Sequence, residues 1–380
     1  MPDIVLKKSQ QRLYEKVITR GFCTLCGACI GYCPYFQVNP LRGNVRMMDP
    51  CDVSDGQCYQ YCPRTRIDMD TLHQDIFGVP FDEARVGIGI VRDIFLARST
   101  DQEILRRGQD GGVVTTLLWT AMSEGIIDGA VETTMSDDKS PHGFLARNRQ
   151  ELLQCVGNSY EPGATLEALN QIPAHSKEKV AIVGLPCQVQ AVAKMRVNPP
   201  KNRLNIHNVK LVLGLFCGWA FSPGVFHQYL NGNFNLSQVK KFDIPHHPAH
   251  SFDVYTSEGK QSIELDEVRD FINPACSYCG DMTSQFADIS VGSGRTKFRG
   301  WNTVIVRTEN GEKLVKIAKR RGMLETQPIP EESVTNLKRA ALNKMKRAIT
   351  SITERTGSSE DLGYLILKPV LRDKLCDEKE

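Results

Sequence analysis

Cys23, Cys26, Cys29 and Cys33 are separated by two, two and three residues, and Pro34 follows the last of them. Thiolates set this closely hold an iron–sulfur cluster with the first three, while the fourth reaches a neighbouring cluster. A zinc site closes on four ligands and gives no role to a fourth cysteine followed by proline. The pattern therefore points to chemistry that moves electrons one at a time.

Cys51, Cys58 and Cys62-Pro63 form a second group. Two such groups in succession are the sequence form of a two-cluster, ferredoxin-like module, expected over residues 1–78. In that arrangement Cys23, Cys26, Cys29 and Cys62 hold one [4Fe-4S] cluster, and Cys33, Cys51 and Cys58 serve another. The second set has three cysteines where four are needed. Its site takes a non-cysteine ligand, with Asp52 and Asp55 nearby, or holds a [3Fe-4S] cluster, or is empty.

Four more cysteines lie further along. Cys187 follows Val183-Gly184-Leu185-Pro186, Cys217 follows an apolar run ending at Phe216, and the pair Cys276 and Cys279 follows Asn273-Pro274. If the runs before Cys187 and Cys217 are strands, both thiols stand at strand carboxyl ends, where open α/β sheets gather ligands. With Cys276 and Cys279 they could complete a four-thiolate cage. Spacing alone leaves equal room for two small buried cysteines and a separate zinc half-site or redox pair. Gly108-Gln109-Asp110-Gly111-Gly112-Val113-Val114-Thr115 reads as a glycine-rich turn entering a helix, with Thr116 next. Backbone N–H groups at such a start attract phosphate, and the glycines permit close approach. A glycine pair also serves as a plain tight turn. No G-x-G-x-x-G fingerprint is present, so no Rossmann nicotinamide site is expected.

The elements that must position these residues are legible from apolar periodicity. Strands are expected at 94–97, 126–132, 179–184 and 209–216, with a further strand over 286–294 running into a glycine turn. Helices are expected over 111–124 and from Gln188. The run 209–216 is nearly all apolar, as a strand buried on both faces requires. Strands alternating with helices give an α/β domain with a partly parallel, mixed sheet over residues 93–308. Residues 309–380 read as a mostly helical tail, with Val334, Leu337, Ala341, Met345, Ala348 and Ile352 along one helix face. Lys338, Arg339, Lys344, Lys346 and Arg347 are then the solvated face of that helix. Arg295, Lys297 and Arg299 read as a solvated basic loop, and His246 and His247 as a loop between prolines. No internal repeat and no low-complexity tract is legible.

At 380 residues, 41% hydrophobic and 24% charged, the chain is long enough for two or three domains with their own cores. A net charge of +3 is too small to argue for nucleic acid. The longest apolar stretch, 209–221, falls short of the roughly 20 residues of a membrane span. The first twenty residues hold no apolar signal core. Thirteen cysteines without an export signal point to a reducing compartment. A cytoplasmic protein of an anaerobe, without a membrane span, is expected.

Taken together, these motifs resemble the coenzyme F420 hydrogenase/dehydrogenase beta-subunit family. The resemblance is carried by Gly111-Gly112-Val113-Val114-Thr115-Thr116, by the run Glu124 to Val131, and by Gly184-Leu185-Pro186-Cys187-Gln188-Val189-Gln190. Leu213 to Cys217, Cys276 to Asp281, and Ala287 to Gly292 complete it, in the family's order, over roughly 20–310. Where the family usually has Ser-Gly-Gly, this chain has Asp110-Gly111-Gly112. The resemblance implies FAD near Gly111, Gly112, Val113, Thr115 and Thr116, and a cluster cage of Cys187, Cys217, Cys276 and Cys279.

What it implies for function is an iron–sulfur flavoprotein oxidoreductase acting in electron transport. Electrons would pass between FAD, which exchanges hydride with a deazaflavin coenzyme, and a partner through two or three clusters. Partners would be other redox subunits of a hydrogenase, formate dehydrogenase or heterodisulfide-reductase type of complex, or ferredoxin. A ferredoxin-dependent flavin reductase of an organic substrate and a non-enzymatic electron-relay adaptor are the alternatives. No residue is singled out as a catalytic acid or base.

Overall fold

The computed structural model describes residues 8–39, 43–199, 206–245, 249–294 and 296–377. Its centre is an eight-stranded mixed sheet. In chain order the strands are β1 (Asp93–Ser99), β2 (Gly129–Met135), β3 (Pro141–Ala146), β4 (Val180–Gly184), β5 (Val209–Leu215), β6 (Ile289–Ser293), β7 (Asn302–Val306) and β8 (Leu324–Pro328). They lie side by side in the order β8-β1-β7-β6-β5-β4-β2-β3. The four in the middle, β6, β5, β4 and β2, run parallel. Antiparallel strands complete both edges.

The apolar run 209–216 is β5, and its Leu211, Val212 and Leu213 are buried from both faces. The parallel strands hold it there because βα crossovers put helices on either side. α2 (Val113–Ser123) packs with α4 (Glu309–Arg320), and α3 (Pro186–Val197) lies against α1 (Met69–Phe77). Pro186 opens α3 at the one helical position where a missing N–H is harmless. The 26-residue α5 (Glu331–Thr356) buries Leu337, Ala341, Met345, Ala348 and Ile352, the face its periodicity predicts. It ends at Gly357, whose φ of 71° is the left-handed helix stop.

The sheet does not close at residue 308. α4 and β8 continue it, with β8 pairing along β1. Its sequence, Leu-Glu-Thr-Gln-Pro, has no strong strand pattern; the open edge of β1 supplies the missing instruction, and an edge strand tolerates the final proline.

Residues 8–78 carry a two-stranded antiparallel ribbon, Phe36–Asn39 with Asn44–Met47. They share one apolar core with the sheet and the C-terminal helices: Cys26, Ala28, Tyr61 and Leu72 pack with Val189, Val192, Met345 and Ile349. Asn170 ties the two parts by donating from Nδ2 to the carbonyls of Gly27, Ala28 and Ile30. A two-residue parallel pairing of Leu365–Ile366 with Ile67–Asp68 closes the chain's tail over its beginning. Among the described residues, no helix is long and apolar enough to cross a membrane.

Candidate functional site

A cavity of about 400 Å³ opens at the carboxyl ends of the four parallel strands. Glu132–Met135 of β2, Val183 and Gly184 of β4, Leu215 of β5 and Val291–Ser293 of β6 all line it. This is where the topology of an open α/β sheet leaves a crevice. The glycine-rich turn forms one wall through Gly108, Gln109, Asp110 and Gly112, followed by Val113, Val114 and Thr115. Gly112 sits at φ 65°, which lets the chain turn out of the short helix Gln102–Arg107, after β1, and into α2. Asn302 Oδ1 accepts the first helical N–H, that of Val113.

Two of the five expected contacts do not face this space. Gly111 packs on the sheet, and a Cβ there would come within 2.8 Å of the Ala97 carbonyl oxygen. Thr116 turns inward, its hydroxyl bonded to Ser99 Oγ at 2.6 Å and to the Gly112 carbonyl. Gly112, Val113 and Thr115 remain at the wall.

Sequence reasoning missed the opposite wall, which is the segment 154–163. Tyr160 holds a left-handed φ of 59°, a strained conformation for a bulky residue. Its hydroxyl accepts from the Ile244 N–H, tying this wall to the small three-stranded sheet. Glu132 and Glu161, both 5% exposed, also line the cavity. His227 stands 3.7 Å from Glu161. Among the described residues, Glu132 Oε1 has no hydrogen-bond partner. Burial pushes its carboxyl up to about 8. A carboxyl raised from an ordinary 4.5 keeps its proton when folded and loses it when unfolded, so stability falls as pH rises through about 8. Glu132→Gln removes this penalty. Its stability gain over the native chain should widen by roughly 2–3 kcal/mol between pH 6 and pH 9, measured by denaturant unfolding. A pH-independent difference would show that Glu132 is not held protonated.

The thiols gather in three neighbouring groups. Cys187, Cys217, Cys276 and Cys279 feel one another's charge. Cys26 and Cys29 have Cys23 and Cys62 as neighbours. Cys58 has Cys33 and Cys51. Spacing and resemblance propose the same three sets as cluster ligands. They form a file. Cys217 lines the cavity, Cys187 neighbours Cys26, and Cys29 and Cys62 neighbour Cys58. Cys187 lies in the first turn of α3, where the helix dipole favours a thiolate.

The surroundings fit an anionic inorganic body rather than free thiols. Burial raises the thiols of Cys26, Cys29, Cys187 and Cys217, so isolated they would stay protonated. Yet three cations stand among them. Lys344, 5% exposed, donates to the Cys217 carbonyl at 2.7 Å. Arg64, equally buried, donates to the Ala275 carbonyl, and Lys194 to the Cys62 carbonyl and the Thr65 hydroxyl. Burial pushes the Cys279 thiol up, but Lys344 and Arg64 outweigh it and bring it below its ordinary value. Buried cations bonded to neutral groups need a counter-charge, and metal-bound thiolates supply one. Among the described residues, no three ligand side chains converge on a point as a single metal ion would demand.

Lys344 corrects the sequence expectation of a fully wet basic face on α5, since its ammonium turns into the cage region. Lys297 is exposed and paired with Glu332, as a solvated loop requires. His246, His247 and Arg295 lie outside the described residues. An internal repeat is also present, contrary to expectation. Displacing the chain by 29 residues lays Cys23, Cys26, Cys29 and Cys33-Pro34 on Asp52, Asp55, Cys58 and Cys62-Pro63. Tyr32 and Tyr61, each preceding a Cys-Pro, meet edge-to-face at 5.8 Å. Two aspartates at cysteine positions hide the register.

Comparison with known proteins agrees with this architecture. Residues 94–170 match the N-terminal family model of the coenzyme F420 hydrogenase/dehydrogenase beta subunit, and residues 177–332 match the C-terminal one. The chain is 31% identical over 274 residues to the coenzyme F420 hydrogenase subunit beta of Methanothermobacter thermautotrophicus, covering 70% of this chain and 96% of that one. It is 34% identical over 266 residues to the coenzyme F420 hydrogenase subunit beta of Methanosarcina barkeri, covering 68% and 90%. Among solved structures, a chain of the xenon-derivatised F420-reducing [NiFe] hydrogenase complex from Methanosarcina barkeri superposes with a TM-score of 0.65 at 32% identity, covering 71% of this chain and 94% of the other.

Proposed function

The chain belongs to the coenzyme F420 hydrogenase/dehydrogenase beta-subunit family, and on that premise we propose that it is an oxidoreductase subunit passing electrons between FAD and partner redox subunits. FAD in the cavity would supply hydride exchange with a deazaflavin coenzyme and convert an electron pair into single electrons. Gly112, Val113 and Thr115 would hold its phosphates at the start of α2. Cys187, Cys217, Cys276 and Cys279 would hold one cluster, Cys23, Cys26, Cys29 and Cys62 the next, and Cys33, Cys51 and Cys58 the outermost. Residues 8–78 then form the ferredoxin-like module, docked rather than tethered.

The observation that supports this reading is the succession of neighbouring thiol groups that begins at the cavity. Cys217 borders the cavity and each thiol group neighbours the next. Lys344 and Arg64 stand along that file as positive charges and favour the reduced, more negative state of whatever lies beside them, whereas burial brings the Lys194 ammonium down to about 8. Tyr160 and the segment around it line the cavity.

Anaerobic mixing of the reconstituted chain with reduced deazaflavin coenzyme is the test. Flavin absorbance should bleach first, and cluster absorbance should fall after it. A chain that takes up iron but no flavin would overturn the flavin reading and leave a relay adaptor. Turnover of an organic acceptor by the chain alone would favour the reductase.

A further inference from the structure

The two sides of β2 meet different neighbours. Ala130 packs in the apolar cluster that holds Val113, Leu117 and Ala121 of α2, whereas Val131 packs in the cluster on the opposite side of the sheet. Glu132 takes the side of Ala130, so it faces the space where α2 begins. It is buried, it lines the cavity together with Gly112, Val113 and Thr115, and its Oε1 has no hydrogen-bond partner among the described residues. A buried polar atom in that position costs free energy until something in the cavity bonds to it. Glu161 lines the same cavity but has His227 beside it. The remaining titratable groups on the walls are Asp110 of the glycine-rich turn, Cys155 and Tyr160 of the segment 154–163, and Cys217 after β5. Among the described residues, no lysine, arginine or histidine lines the cavity. A phosphate entering it therefore meets its donors among backbone N–H groups and uncharged side chains.

We propose that Glu132 is a phosphate-binding residue, its carboxyl O–H donating a hydrogen bond to a phosphate oxygen of FAD at the start of α2. This rests on the flavin reading above and specifies which side chain meets the phosphate. A carboxylate there would repel the ligand and a protonated carboxyl attracts it, so the proton decides the sign. Burial, the one influence on this carboxyl, pushes it up to about 8 and keeps the proton on at neutral pH. A bound phosphate holds that proton more tightly still. Above about 8 the free chain has lost the proton and must take it up again to bind, so affinity falls as pH rises. Burial keeps Cys155 and Tyr160 protonated in the same range, and Glu132 itself adds to the effect on Cys155, so neither brings a competing charge.

The test measures FAD binding to the flavin-free full chain, reconstituted with iron under anaerobic conditions, by flavin fluorescence across pH. The native dissociation constant should rise about tenfold between pH 7 and pH 9. Glu132→Gln, whose amide donates at every pH, should bind within about threefold of native at pH 7 and lose the rise. Glu132→Ala should bind roughly 10- to 100-fold more weakly at pH 7, again without the rise. The glutamine variant decides the matter if the alanine variant does not fold. Riboflavin, which has no phosphate, should bind the native chain and Glu132→Gln alike, with no rise over this range. A rise that survives in Glu132→Gln, or that disappears in Glu161→Gln instead, would overturn the proposal. So would an equal rise with riboflavin, which would put Glu132 on the ring or its ribityl chain rather than on phosphate. A native chain that binds no FAD at any pH would sink the flavin reading itself.

Discussion

Cys279→Ser should leave the purified chain short of about four irons while its N-terminal clusters keep their spectrum. Flavin should still bleach with reduced deazaflavin coenzyme, but cluster reduction should no longer follow, because the body next to the cavity is gone. Cys279 is the thiol on which both Lys344 and Arg64 act most directly. Removing it and its cluster leaves two buried cations among carbonyls, which costs stability on the order of a few kcal/mol. The variant should therefore also unfold at lower denaturant, and a second change, Lys344→Met, should recover part of that loss without recovering iron. Unchanged iron in Cys279→Ser would end the assignment of the cage. Loss of all iron would show that the three sites fold as one, contrary to the separate thiol groups.

Much of the site was legible because its chemistry is local. Cluster ligands must stand a few residues apart, so the spacing of Cys23, Cys26, Cys29 and Cys33 carries the signal by itself. Buried parallel strands such as β5 must be apolar on both faces, which made their carboxyl ends, and hence the positions of Cys187 and Cys217, predictable. What escaped depends on contacts distant in sequence. Lys344 sits beside the apolar stripe of α5 and looks like any surface lysine. Its partner, the Cys217 carbonyl, is 127 residues away. Glu132 looks like the outward residue of an alternating strand, yet it is buried at the cavity that segment 154–163 also lines. The repeat escaped for the opposite reason. It is local, but Asp52 and Asp55 stand in register with Cys23 and Cys26, so the identity that reveals a register is missing there.

Arg64 shows how closely the parts depend on one another. It belongs to the second cysteine run, yet it donates to Ala275 across 211 residues and neighbours Cys187, Cys279 and Cys23. One side chain thus stands beside two of the thiol groups, and its burial depends on the docking of both. The shared apolar core of Cys26, Tyr61, Val189 and Met345 enforces that docking. On the proposed reading an electron path needs its stations held close, and the packing that stabilises the fold would hold them so.

Gly112→Asp should yield a folded, iron-replete chain that loses its flavin. At φ 65° any side chain is strained, and a Cβ would lie 2.6 Å from Ile104 Cγ2, so that methyl must rotate aside. Aspartate tolerates the left-handed region better than most residues, which limits the backbone penalty. The charge is the larger effect. A carboxylate at the wall that would receive phosphate sets two negative groups about 4 Å apart, and at an effective dielectric constant near 20 their repulsion is about 4 kcal/mol. Flavin retention should fall by two orders of magnitude or more, partly restored by salt. Gly112→Ala carries the same φ and the same clash without the charge, so it should lose far less. Equal loss in both variants would move the effect to backbone strain. Full FAD occupancy in Gly112→Asp would remove the start of α2 from the flavin site altogether.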